Sequence, residues 1–92
     1  MKKIEFGARY KVVSGLSAAR GDIVVPYKID DDYVYFYHIN GEYPKKPELV
    51  GKKVWDKFTE LMDIKVAKTR LAYKIYKNKI IKEEGNFYIV RL

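Results

Sequence analysis

The spacing of apolar residues changes part-way along this chain, and this change limits the possible folds more than any other feature. In residues 3–39 apolar and polar residues alternate over several short stretches, whereas in residues 52–77 the apolar residues recur three or four positions apart. Alternation is typical of strands, and the longer period is typical of helices. The segment between them contains Pro44 and Pro47, which interrupt both structures. The sequence therefore predicts an α+β protein whose strands come first.

The first half of the chain predicts three strands, in residues 3–13, 23–29 and 33–39. Residues 30–32 are three aspartates, which favour a solvated turn, and Asn40-Gly41 is a strong turn signal after the third strand. We therefore expect an antiparallel three-stranded meander. Residues 1–44 hold six basic and six acidic residues, a balance that suits an accessory or dimerisation module.

The second half predicts two helices, in residues 52–62 and 66–77. In the second helix the apolar side consists of Ala67, Leu71, Ala72 and Ile75. A strand is the alternative there, because Leu71, Tyr73 and Ile75 also alternate. We favour the helix because the polar residues of 68–78 fall on one helical face. Residues 80–90 predict a β-hairpin with a glycine-bearing turn. The two parts, 1–44 and 45–92, are expected to form one compact domain.

The positive charge of the chain is concentrated near its carboxyl end. Of 92 residues, 19 are basic and 12 acidic, for a net charge of +7. Residues 64–92 hold eight basic and two acidic residues, a net +6, whereas residues 1–63 hold eleven and ten, a net +1. A one-sided excess of this kind is typical of a surface that binds a polyanion.

Three stretches, one just before this basic region and two within it, resemble a helix-turn-helix followed by a β-wing. They are Phe58 to Ile64, Lys68 to Ile81, and Phe87 to Arg91. They are similar to small bacteriophage regulators and to the modular DNA-binding repeats attached to homing endonucleases, in which a Thr-Glu-Leu helix precedes the recognition helix. The connection between Ile64 and Leu71 is longer than the family's tight turn and holds no glycine. The resemblance implies a winged helix-turn-helix unit in residues 45–92 and a phage or mobile-element regulator that binds DNA.

The predicted nucleic-acid contacts are the residues left outside when the apolar side of the second helix packs inward. They are Lys65, Lys68, Thr69, Arg70, Tyr73, Lys74 and Lys77, with Lys79 just before the hairpin and Lys82 on it. Arg70 is the best candidate for base contact, because its planar guanidinium can pair with guanine, and the lysines suit phosphates. We expect DNA as the partner, with RNA as an alternative and with a homodimer as a source of further contacts. The alternative is that these residues form an ordinary solvated face of a basic helix and bind no nucleic acid.

Three tyrosines give a second functional hypothesis. Tyr33, Tyr35 and Tyr37 share one face of a predicted strand, and Val34, Phe36 and His38 share the other. We expect Val34 and Phe36 to lie in the core. An exposed tyrosine face suits protein contact, because tyrosine supplies a large contact area. The protein would then be a phage-encoded inhibitor that binds and blocks a host protein or nucleoprotein complex.

The residues that usually support catalysis or metal binding are scarce in this chain. It has no cysteine and one histidine, His38, and its carboxylates show no ligand-like or catalytic spacing. We therefore expect no enzymatic activity, no metal and no other cofactor. The amino-terminal residues lack the apolar run of a signal peptide, so we expect a cytoplasmic protein with no membrane partner.

Overall fold

The structure is a computed structural model that describes residues 3–14, 21–40, 43–77 and 88–89. Within them, the strands are β1 (Tyr10–Val12), β2 (Ile23–Ile29), β3 (Tyr33–Asn40), β4 (Tyr43–Gly51), β5 (Thr59–Leu61) and β6 (Tyr88–Ile89). The helices are α1 (Lys52–Phe58), α2 (Ile64–Ala67) and α3 (Arg70–Tyr76). The predicted α+β class is confirmed. Of the helices in these residues, none is long and apolar enough to cross a membrane.

All six strands belong to one sheet, in the order β5-β1-β2-β3-β4-β6. Every pair of neighbours among β5, β1, β2, β3 and β4 is antiparallel, and β6 runs parallel to β4. The strands of the predicted meander therefore continue into β4 on one side and pair with β5 on the other. The predicted boundary at residue 44 falls inside β4, so the sheet does not separate into an accessory module and a binding unit.

Strand β4 lies where the two prolines predicted a linker. It pairs with β3 along its length, with Tyr37 opposite Pro47 and Ile39 opposite Pro44. Proline lacks an amide hydrogen and is therefore restricted to edges and irregular positions of a sheet. Pro44 and Pro47 lie at such an irregular position. The register with β3 shifts between Tyr37 and Ile39, and the described part of β6 pairs with β4 at Glu48 and Leu49, after both prolines.

Helix α1 covers one face of the sheet. Trp55 and Phe58 of this helix are buried against Val34 and Phe36 of β3, as expected for those two strand residues. The Trp55 ring lies 5.6 Å from that of Phe36 and 5.2 Å from that of Tyr10. Tilted aromatic contacts of this kind combine a large buried area with a favourable ring geometry. This cluster forms the larger part of the core.

Helix α3 covers the opposite face of the sheet. Its Ala72 and Ile75 are fully buried and pack against Val25, Tyr27 and Tyr37. Both faces of β3 are therefore buried, which explains why apolar residues occupy both sets of alternating positions in this strand.

The predicted helix 52–62 ends early, at Phe58. Residues Thr59–Leu61 form β5, which pairs antiparallel with β1, so that Tyr10 lies opposite Leu61. The Thr59 hydroxyl donates a hydrogen bond of 2.9 Å to the carbonyl of Trp55, and this bond closes the helix end. The first helix of the predicted helix-turn-helix is therefore replaced, in its second half, by a strand that completes the sheet edge.

The predicted second helix is present, but it is divided into α2 and α3. Lys68 and Thr69 have extended backbone angles and separate the two helices. The predicted wing lies mostly outside the described residues. Its described part, Tyr88–Ile89, pairs with β4.

The amino-terminal segment holds α3 in place through Gly7. Residues 3–9 were predicted as the start of a strand, but the strand begins at Tyr10. Gly7 has φ +72°, and its amide donates to the carbonyl of Pro26 at 3.2 Å. A Cβ at Gly7 would lie 2.9 Å from the Cβ of Tyr76 in α3. Next to it, the Phe6 ring stacks on Tyr76 with centroids 5.9 Å apart. Only glycine fits this position without displacing the helix.

Gly7→Ala is expected to lower the free energy of unfolding by about 2–4 kcal/mol, since it adds a backbone strain of about 1–2 kcal/mol to a steric contact of similar cost. Gly21→Ala is the matched control, because Gly21 has φ +92° but no heavy atom within 4 Å of an added Cβ. Gly21→Ala should lower the free energy of unfolding only by the backbone strain of about 1–2 kcal/mol. Urea unfolding followed by the fluorescence of Trp55, the single tryptophan, measures both. Equal losses in the two variants would contradict the close packing of Gly7 on Tyr76.

Candidate nucleic-acid interface

The chain between β5 and α3 is held by side-chain caps and by the amino-terminal segment. The Asp63 carboxylate accepts a hydrogen bond of 2.9 Å from the amide of Lys65 and thereby caps α2. The amide of Arg9 donates to the carbonyl of Ala67 at 2.7 Å, and its guanidinium donates to that of Val66. These bonds fix the direction in which the chain enters α3.

Thr69 defines the start of α3. Its hydroxyl accepts a hydrogen bond of 3.1 Å from the amide of Ala72. Such a cap satisfies one of the amides that a helix leaves unpaired at its first turn. Thr69 was predicted as a nucleic-acid contact, and the structure gives its hydroxyl oxygen a role as the cap of α3. Its structural role was readable from the sequence, because threonine is a preferred capping residue.

The outward side of α3 carries a line of four residues, which we call the α3 stripe: Arg70, Tyr73, Lys74 and Lys77. Their spacing of three, four and seven positions places them along one side of a helix. Arg70, Tyr73 and Lys77 are exposed, and Lys74 is half-buried. The side chains that hold α3 to the sheet, Ala72 and Ile75, occupy the other side. Helix packing therefore turns the stripe to solvent.

The charge on this surface is of one sign. Residues 64–77 contain five basic residues and no acidic one. In addition to the stripe, Lys65 and Lys68 are exposed. Within the described part of the chain, none of the five basic side chains lies within ion-pair distance of a carboxylate. Their charges therefore add to a positive potential that can attract and hold an anion.

Aromatic rings lie among these charges. The Nζ of Lys77 lies 4.8 Å from the ring centroid of Tyr76 and 5.8 Å from that of Tyr73. A cation at this distance is attracted to the ring face. Tyr73 is 52% exposed, and Val66 in α2 is 46% exposed. The surface thus combines cations with an exposed ring.

Seven of the nine predicted nucleic-acid contacts lie on α2, α3 or the residues that flank them. They are Lys65, Lys68, Thr69, Arg70, Tyr73, Lys74 and Lys77. Lys79 and Lys82 lie outside the described residues.

The three tyrosines predicted to contact a protein partner are not presented as an open face. Tyr37 is 3% exposed and belongs to the cluster beneath α3. Tyr35 is half-buried at the margin of this cluster, and its hydroxyl donates to the Asp30 carboxylate. This bond and those from the amides of Asp32 and Tyr33 lower the pKa of Asp30. Tyr33 is also half-buried. The sequence could not show this arrangement, because α3 covers the face from a distant part of the chain.

No protein-family model matches this chain, and neither a curated protein nor a solved structure matches it. The basic surface of α2 and α3 is therefore the basis for assigning a function.

A second polar cluster, around His38, was missed by the sequence analysis. The Nε2 of His38 lies 2.9 Å from a carboxylate oxygen of Glu48, and its Nδ1 lies 3.4 Å from one of Asp22. The three residues come from β3, β4 and the residue before β2, and the imidazole is 14% exposed. The hydrogen bond to Glu48 and the two negative charges raise the pKa of His38, although burial opposes them. Strand pairing alone creates this cluster, so no local pattern could have indicated it.

The His38 cluster predicts a pH-dependent stability. Because the pKa is raised in the folded state, the stabilisation is complete below the unfolded pKa of about 6.5 and is lost as pH rises through the folded value. His38→Gln keeps a hydrogen-bonding side chain but cannot be charged. The difference in unfolding free energy between wild type and His38→Gln should be largest near pH 5.5–6 and should shrink on the alkaline side, as measured by urea unfolding at several pH values. Parallel profiles for the two proteins would refute a stabilising charge on His38.

Proposed function

We propose that this protein binds nucleic acid through the outward surface of α2 and α3. The observation that supports this proposal is the set of five basic side chains on that surface, with no carboxylate of the described residues beside them. Basic side chains without local counter-charges are the usual means by which proteins hold a phosphate backbone.

The dimensions of the α3 stripe suit successive phosphates. At 1.5 Å per residue, the distance along the helix from Arg70 to Lys77 is roughly 10 Å. Stacked nucleotides follow one another at about 3.4 Å, so this length corresponds to about three nucleotide steps and exceeds the reach of a single phosphate. Arg70, Lys74 and Lys77 could each contact a different phosphate, and the exposed Lys65 and Lys68 extend the positive surface beyond the helix.

The proposal does not depend on the predicted helix-turn-helix. In that motif a first helix crosses the DNA backbone and supports the recognition helix. Here Thr59–Leu61 form a strand, and α2 has only four residues. Support for α3 comes instead from the sheet. A role as a phage or mobile-element regulator remains a proposal based on the resemblance, whereas nucleic-acid binding is supported by the surface charges.

The alternative of a host-protein inhibitor has less support. It relied on an open tyrosine face, and Tyr37 is buried beneath α3. The exposed basic side chains of α2 and α3 favour a polyanion as the partner.

Reversal of charge on this surface should abolish binding. We expect the triple variant Lys68→Glu, Arg70→Glu and Lys74→Glu to lose affinity for a fluorescein-labelled mixed-sequence DNA by at least about 100-fold at low salt, since three attractive contacts become repulsive. Fluorescence anisotropy measures the affinity, and circular dichroism checks the fold.

The matched control reverses the charge of three lysines on α1, which covers the other face of the sheet. Lys52→Glu, Lys53→Glu and Lys57→Glu on α1 change the net charge by the same amount. This variant should bind at most a few-fold more weakly than wild type. If the two triple variants lose affinity equally, net charge explains the binding and the assignment to α2 and α3 is wrong.

Binding should also weaken with salt in a defined way. If four basic side chains meet phosphates, the slope of log K against log salt should be roughly −3 to −4. Lys74→Ala should reduce the magnitude of this slope by about 1, whereas Lys53→Ala on α1 should leave it unchanged. A wild-type affinity that does not vary with salt would be incompatible with phosphate binding.

A further inference from the structure

Tyr73 is the most exposed of the large hydrophobic side chains in the described residues, at 52%. It lies in the middle of the α3 stripe, three residues after Arg70 and next to Lys74. Within the described part of the chain no other ring stacks on Tyr73. The Lys77 ammonium lies 5.8 Å from the centroid of its ring. An exposed aromatic ring among basic side chains has the composition of a surface on which nucleic-acid bases stack.

We infer that the ligand of this surface is single-stranded nucleic acid, with one unpaired base stacked on the ring of Tyr73. This inference rests on the proposed function and specifies its substrate class. Proteins that bind single strands combine a basic surface that follows the backbone with aromatic rings on which bases stack. The α3 stripe has both parts, with basic side chains on each side of the ring.

A duplex offers this surface fewer contacts. The bases of a duplex stack on each other and leave only their edges for recognition, mainly by Arg, Lys, Asn and Gln side chains. For such edge contacts residues 64–77 offer Arg70 and four lysines but no Asn or Gln. The ring of Tyr73 would have no base face to contact. In a single strand that face is available.

The position of Lys77 fits the same ligand. Its ammonium lies near the rings of both Tyr73 and Tyr76, at 5.8 Å and 4.8 Å. A base stacked on Tyr73 would bring its own backbone phosphate close to this ammonium. Arg70, one helical turn towards the start of α3, is placed for the preceding or following phosphate.

The test compares a labelled oligothymidine of about 12 nucleotides, within the usual site size for such surfaces, with a labelled blunt DNA hairpin. Both are titrated with full-length protein at low salt. We expect the single strand to bind at least about 5-fold more tightly. Tyr73→Phe keeps the ring and should bind like wild type. Tyr73→Leu keeps an apolar side chain and helix propensity but has no aromatic face, and it should bind the single strand roughly 5- to 100-fold more weakly.

A second measurement reports stacking directly. Tyr73→Trp introduces an indole at an exposed position, whereas the native Trp55 is 1% exposed and should not respond to a ligand. Oligothymidine should quench the added fluorescence, and it should leave the emission of wild type unchanged.

The outcomes separate the two proposals. Stacking on Tyr73 is supported if Tyr73→Leu loses affinity for the single strand while Tyr73→Phe keeps it, and if the single strand quenches the fluorescence of Tyr73→Trp. Equal binding of hairpin and single strand with no effect of Tyr73→Leu overturns the inference and leaves nucleic-acid binding intact. Failure of wild type to bind either probe at low salt overturns the proposed function and the inference with it.

Discussion

The burial of both faces of strand β3 is the constraint on which the rest of the structure depends. Val34 and Phe36 on one face and Tyr35 and Tyr37 on the other are too apolar to leave either face open to water. Helix α1 covers the first face, and α3 covers the second. The chain must therefore pass from one side of the sheet to the other between these helices, and β5 and α2 form that passage.

The same packing creates the candidate binding surface. Helix α3 is short, and such helices owe most of their stability to the surface on which they pack. The helix packs on the sheet through Ala72 and Ile75, and Gly7 lies close to its Tyr76. These contacts fix the rotation of α3 about its own axis. Once that rotation is fixed, the residues at the opposite positions face solvent. A structural requirement, the covering of the tyrosine face, thus places the basic side chains outside.

Particular elements show where sequence reasoning succeeded and where it could not. The segment that contains α3 was predictable, because its apolar positions repeat with a helical period and Thr69 is a typical cap. Strand β5 was not, because Thr59–Leu61 continue the apolar spacing of α1 and become a strand only by pairing with β1, far away in the chain. Strand β4 was not predicted because of its prolines, which are tolerated where the register between β3 and β4 shifts.

The sequence by itself determined the α+β class, the concentration of positive charge near the carboxyl end, and the residues of α3 that point away from its apolar side. These are local properties, set by composition and by periods of two to four residues. Only the tertiary structure decided that the tyrosines of β3 are covered, that His38 lies between Asp22 and Glu48, and that Thr59–Leu61 form an edge strand. Each of these depends on contacts between residues distant in the chain, which local periodicity does not specify.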